Sequence, residues 1–233
     1  MREHRLDYTK KVEIEQFDDK LVVVGALINS FVFKTVSNGY EDTELKAPGT
    51  ILSLERFVHF IQALTAADYD AVVIAWKEKV RYDMIRPTTV IKSWGDEEIE
   101  TWTPEGDKVI AARDFEAYVR VMPHSEYVSG SACIFQAQAE LIDGYLGTMG
   151  MNANIYPIVF PVVGDGQVQL TYQNVKRMAA AGSRSRINGG MHFPESVTAA
   201  TTLCTDISAA TVSGSSQLLS PGVNITINYS TYY

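Results

Sequence analysis

The strongest constraint on the fold is a run of helical periodicity that begins near Thr50 and is closed by a proline at position 87. In "TILSLERFVHFIQALTAAD", Leu52, Phe57, Phe60, Ile61 and Leu64 fall near one face of a helix. The pattern predicts an end at "TAAD", with Asp68 capping a second helix, "YDAVVIAWKEKVRYDMI". That helix must stop near Arg86, because Pro87 disfavours helical geometry in the residue before it. Residues 88–123, which carry "WGDEE" and "TPEGD", read as a long and mostly irregular connection. Three further helices are expected, in "SACIFQAQAELIDGYLG", closed by Gly147, in "TYQNVKRMAAAGSRSRI" and in "ESVTAATTLCTDISAA". The final stretch, "SGSSQLLSPGVNITINYSTYY", is polar with β-type alternation and reads as a tail or an edge strand. No internal repeat is visible.

A chain of 233 residues that is 46% hydrophobic can bury one sizeable core, so a single globular unit is expected. The formal charge of -8 argues against a sequence-independent nucleic-acid binder or a protein drawn to anionic membranes, since both depend on clustered Lys and Arg. The most apolar run, "LVVVGALINSFVF", is too short for a membrane span. The charged start "MREHRLDYTKKVEIEQ" has no signal-peptide core, so no export is implied, and localisation stays open. Cys133 and Cys204 make neither a zinc pattern nor a disulfide framework. They read first as buried thiols and second as one disulfide.

Chemistry gathers at the helix ends. Lys79 and Arg86 are seven residues apart, two helical turns, and would share one face on which two cations can hold an anion. "SGS" at the head of a helix offers free backbone N–H groups, close approach at Gly130 and a hydroxyl on Ser129. "SRINGGMHFPE" puts Arg186 at the end of a basic helix and His192 just after a glycine-containing turn. Each piece alone has a structural reading as well: a solvated helix face, an ordinary N-cap, a satisfied histidine.

Together, "KVRYDMIRP", "SGS" and "SRINGGMH" resemble, in order and spacing, the three blocks of the vanadium-dependent haloperoxidase and type-2 phosphatidic acid phosphatase superfamily. The surroundings are more similar to the haloperoxidases. The resemblance covers roughly residues 68–206 and implies an all-α helical bundle with long irregular connections, a family-like core near 68–208, an N-terminal extension 1–49 and a C-terminal tail 213–233. It implies that Lys79, Arg86 and Arg186 bind the equatorial oxygens of vanadate and that Ser129 and the Gly130 amide hydrogen-bond them. His192 would be the axial ligand to the metal, or the nucleophile where phosphate is the substrate and no cofactor is needed. The implied partners are a halide, hydrogen peroxide and a small organic acceptor, with no nucleic acid, no membrane and a possible homo-oligomer. A haloperoxidase, an acid phosphatase and a non-catalytic oxyanion binder are the three functions this leaves.

Two departures from the family pattern stand out. Its acid-base histidine falls on Ser131, so proton transfer would run through water or through His124 in "MPHSEY". The carboxylate expected four residues after the axial histidine is Ser196, with Glu195 beside it as the substitute that would orient the ring. The chain also has residues for about one of the two bundles that soluble haloperoxidases carry, and a partner chain could complete it.

Overall fold

The structure, a computed structural model, describes residues 6–18, 54–148, 155–158 and 170–219. In chain order these form α1 (Tyr8–Asp18), α2 (Leu54–Tyr82), α3 (Pro87–Lys92), β1 (Glu98–Thr103), β2 (Gly106–Ala111), a 3-10 turn (Ala112–Asp114), α4 (Gly130–Thr148), β3 (Ile155–Ile158), β4 (Leu170–Tyr172), α5 (Val175–Asn188), α6 (Pro194–Leu203) and α7 (Ile207–Leu219). The fold is the expected helical bundle, with α4 at its centre packed by α2, α5, α6 and α7, while α1 lies on α5. No described helix is long and apolar enough to cross a membrane.

Residue size explains why the helices pack closely around α4. Ala63, Ala67, Ala71 and Ala75 recur every four residues on α2 and are all buried, forming a ridge of small side chains. Phe60 and Leu64 extend that face as expected, and Phe135, Leu141 and Ile142 answer it from α4. Gly182 on α5 serves the same end. A Cβ built there would stand 2.9 Å from the rings of both Phe135 and Phe17, a buried edge-to-face pair. Alanine is ordinarily better than glycine inside a helix by about 1 kcal/mol. Here overpacking wins: Gly182→Ala is expected to destabilise the protein by about 1–3 kcal/mol, read as a lower urea midpoint.

Several local expectations are corrected. α2 runs unbroken through "TAAD", because Ala66 and Ala67 are strong helix formers and no Gly or Pro interrupts them. Asp68 caps nothing; its Oδ2 accepts from Gln138 Nε2 on α4 at 3.1 Å. The helix ends at Tyr82, short of Arg86, where Asp83 turns into the left-handed region at φ 43° and its N–H closes on the Lys79 carbonyl. Arg86 is extended, as a residue before proline should be, and Pro87 occupies the first turn of α3. The supposed irregular connection contains α3 and an antiparallel hairpin, paired from Glu98↔Ala111 to Thr103↔Gly106. "TPEG" is its turn rather than a loop fragment. "ESVTAATTLCTDISAA" is two helices, split where Asp206 adopts φ 67° and its N–H bonds Glu140 on α4. The "SGSSQLL" of the supposed tail is the end of α7, while residues 220–233 and the apolar run at 21–33 lie outside the described residues.

The cysteines are also corrected: Cys133 on α4 and Cys204 after α6 form a disulfide across a sequence separation of 71. Spacing alone could not distinguish two buried thiols from a bridge. The bundle sets their Cα atoms 5.2 Å apart, within bridging range.

Candidate oxyanion site

Three chain segments meet at the N-terminus of α4. The stretch after α2 is tied to the stretch before α4 by Glu126 N–H to the Met84 carbonyl at 2.8 Å and by Met84 N–H to Ser125 Oγ at 3.0 Å. The third segment leaves α5 through Gly190 at φ 77°, where a Cβ would stand 3.1 Å from that of Ala117. The turn brings the amides of Met191 and His192 back onto the Arg186 carbonyl at 3.1 and 3.2 Å.

Lys79 and Arg86 do meet, though not as neighbours on one helix face. Lys79 projects from the last turn of α2 and donates to the carbonyls of Ser125 (2.7 Å) and Glu126 (3.2 Å). Arg86 arrives from the loop. Its guanidinium donates to the carbonyls of His124 (3.1 Å), Met191 (2.9 Å) and Ser125 (3.3 Å), and lies 3.2 Å from His192 Nε2 and 3.1 Å from His124 Nδ1. Arg186, fully buried, donates to the Phe17 carbonyl and to Asp18 Oδ1, also touches the Met191 sulfur, and keeps a buried Nε with no partner among the described residues.

These groups border one cavity of about 200 Å³. Lys79, Arg86, Arg186 and His192 supply its chemistry; Gly130, Ser131 and His124 stand on its wall. Trp76 and Met122 give it an apolar side, and the Trp76 ring packs on His124 at 5.0 Å. Ser129 does not border it. That residue is fully buried as the N-cap of α4, its Oγ accepting from Ala132 N–H at 3.4 Å. The amides of Gly130 and Ser131 open the helix and therefore have no acceptor in a preceding turn.

Electrostatics sharpen the picture. Burial pushes the His192 imidazole down to about 4, helped by the charges of Arg86 and Lys79 and opposed by Glu126, so the ring is neutral at pH 7. Burial likewise lowers Lys79 to about 8, with the Arg86 charge adding to it. Glu126 behaves in the opposite sense. Burial raises its carboxyl, but the bonds from His192 and from the Phe193 amide outweigh that and leave it below the usual range.

Glu126 is what the sequence reading missed. Glu195 was expected behind the histidine, yet Glu195 is exposed on the first turn of α6, and the carboxylate 2.8 Å from His192 Nδ1 is that of Glu126. The only signal available was that an acidic residue stands three positions before "SGS", close to an otherwise apolar helix start. Asp18 was missed too, because nothing local connects α1 to an arginine 168 residues away.

Fold and site together describe a helical bundle with a pocket lined by three cations, His124 and the neutral His192. A family model, the VCPO second helical-bundle domain, matches residues 59–221. The chain belongs to this family and so to the vanadium haloperoxidase-like superfamily. No curated protein matches it. Among solved structures, a holo-type bacterial vanadium-dependent chloroperoxidase aligns with a TM-score of 0.73 and 21% identity over 90% of this chain and 45% of that one. The apo-type chloroperoxidase gives 0.71 and 24% over 89% and 45%, and a bacterial vanadium-dependent iodoperoxidase 0.51 and 20% over 67% and 33%. The chain thus spans less than half the length of these relatives, and at this identity the likeness is one of fold.

Proposed function

We propose that this cavity binds vanadate and that the chain acts as a haloperoxidase-like protein, oxidising a halide with hydrogen peroxide for transfer to a small organic acceptor. The observation that supports this reading is the convergence of Lys79, Arg86, Arg186 and His192 on one small cavity. A tetrahedral oxyanion leaving water needs several charge-assisted donors, and three cations meet that need. The donor set fits the group in detail. Among the described residues, Arg186 Nε is buried without a partner, Lys79 has two of its three N–H donors on carbonyls, and the Gly130 amide, at the head of α4, points no bond into its own helix.

His192 would meet the central atom through Nε2, which Arg86 occupies now, and its neutrality leaves that lone pair available. Vanadate, when bound, supplies the Lewis acidity that activates peroxide toward a halide. Arg86, Arg186 and Lys79 would hold positive charge against the oxyanion, and Trp76 and Met122 keep their side of the cavity apolar. With Ser131 where the family has a histidine, His124 is the imidazole on the cavity wall that would serve as the proton carrier.

A second reading has one observation in its favour. The Glu126–His192 pair is the arrangement of a carboxylate-backed nucleophile, which suits an acid phosphatase acting on a phosphate ester without cofactor. Orthovanadate titration followed by peroxide-dependent bromide and iodide oxidation separates the two. The haloperoxidase reading expects binding with halide turnover. Hydrolysis of a chromogenic phosphate ester, lost in His192→Ala, would favour the phosphatase, and binding with neither activity would leave an oxyanion-binding relative.

The pocket's anion affinity should depend on pH through Lys79. Below about pH 8 the ammonium is charged, and above it the cation is lost. Phosphate binding measured by calorimetry is therefore expected to weaken by up to roughly tenfold per pH unit above that point, and Lys79→Met should flatten the dependence.

A further inference from the structure

We propose that Glu126 is a positioning residue that holds His192 in one orientation and one tautomer, so that Nε2 is the ring atom presented to the oxyanion. Its side chain is 1% exposed and lies behind the ring, away from the cavity wall. Oε1 accepts from two donors at once, His192 Nδ1 at 2.8 Å and the Phe193 N–H at 3.0 Å. Phe193 follows His192 in the chain, so a single oxygen grips the ring and the backbone next to it. Turning the ring over, or swinging it away, breaks the first bond while the second keeps the carboxylate in place.

The opposite edge of the ring fixes the proton. Arg86 Nη1 lies 3.2 Å from Nε2, and a guanidinium has only donors, so Nε2 accepts and Nδ1 carries the hydrogen. Both contacts agree on one tautomer. The backbone of the same glutamate holds the other side of the pocket: its carbonyl accepts from Lys79 Nζ at 3.2 Å and from Ser196 Oγ at 3.3 Å, and its N–H donates to the Met84 carbonyl at 2.8 Å. Glu126 thus fixes a cation through its main chain and the histidine through its side chain. Ser196, which stands where a carboxylate was expected after His192, braces that carbonyl instead.

The tautomer is a property of the protein by itself, whereas the ligand that meets Nε2 rests on the proposed function; two readouts keep them apart. NMR of the full chain labelled with ¹⁵N-histidine reports which nitrogen of His192 is protonated, and orthovanadate titration reports affinity. Wild type is expected to show Nδ1–H with Nε2 unprotonated and accepting from Arg86. In Glu126→Ala only Arg86 still opposes the Nε2–H form, so the pure Nδ1–H state should give way to a mixture of tautomers and orthovanadate affinity fall roughly 10–100-fold. Glu126→Gln, which retains an acceptor oxygen of the same reach, should restore the Nδ1–H form and most of the affinity. It also carries the test if the alanine variant does not fold.

A carboxylate that merely filled space would leave the tautomer unchanged in Glu126→Ala, and that result would overturn the proposal. An Nε2–H form in wild type or in Glu126→Gln would overturn it as well. A wild type that has the expected tautomer and binds no orthovanadate would uphold the role of Glu126 and sink the oxyanion reading.

Discussion

Replacing Arg86 with alanine is expected to lower stability by about 3–5 kcal/mol and to abolish measurable orthovanadate binding. The size follows from what the side chain closes. Its guanidinium, in a residue 5% exposed, accepts no bond and donates to carbonyls of three different residues while contacting two imidazoles. Deletion leaves the His124 and Met191 carbonyls without this donor, and a buried polar group left unpaired costs about 1–3 kcal/mol. The loops on either side then lose their common tie, so an anion bound as proposed would lose both a positive charge and the geometry of His192. Arg86→Lys should not rescue the protein, because an ammonium on a flexible stem cannot span the Met191 and His124 carbonyls together. Urea unfolding and orthovanadate titration of both variants check this. A stable Arg86→Lys with unchanged binding would mean that charge, not the planar fork, is what the site requires.

Reduction of the Cys133–Cys204 disulfide has an expected effect of similar size. A crosslink spanning 71 residues removes chain entropy from the unfolded state worth about 4 kcal/mol. The bond also joins α4, whose N-terminus forms one wall of the cavity, to the end of α6, which begins two residues after His192. Urea unfolding with and without dithiothreitol should differ by about that amount, and the Cys133→Ala/Cys204→Ala double variant should match the reduced protein and ignore the reductant. Two free thiols per chain in denaturant without reductant would refute the bridge.

The local expectations that the fold corrects share a physical cause. "TAAD" lacks any residue that must break a helix, so whether α2 pauses there depends on α4, whose Gln138 takes the Asp68 side chain that would otherwise have capped. The hairpin of Glu98–Ala111 hid in a charged stretch because none of its strand residues is buried and it carries little hydrophobic alternation. Lys79 and Arg86 were expected on one helical face and instead converge across a break at Asp83. The right residues were in view with the wrong geometry between them.

The order of the amino acids alone carried the chemistry available to the site. Three cations and a histidine recur at spacings that mean little singly and much together, and the small residues of α2 and α4 dictate close helix packing through their volume alone. Closure of the bundle was needed to settle which carboxylate stands behind His192, that Asp18 reaches Arg186 and that two distant cysteines pair. The physical reason is range. Periodicity and capping act over a turn or two of chain, whereas these contacts join residues 66 to 168 positions apart and exist only once the bundle has closed.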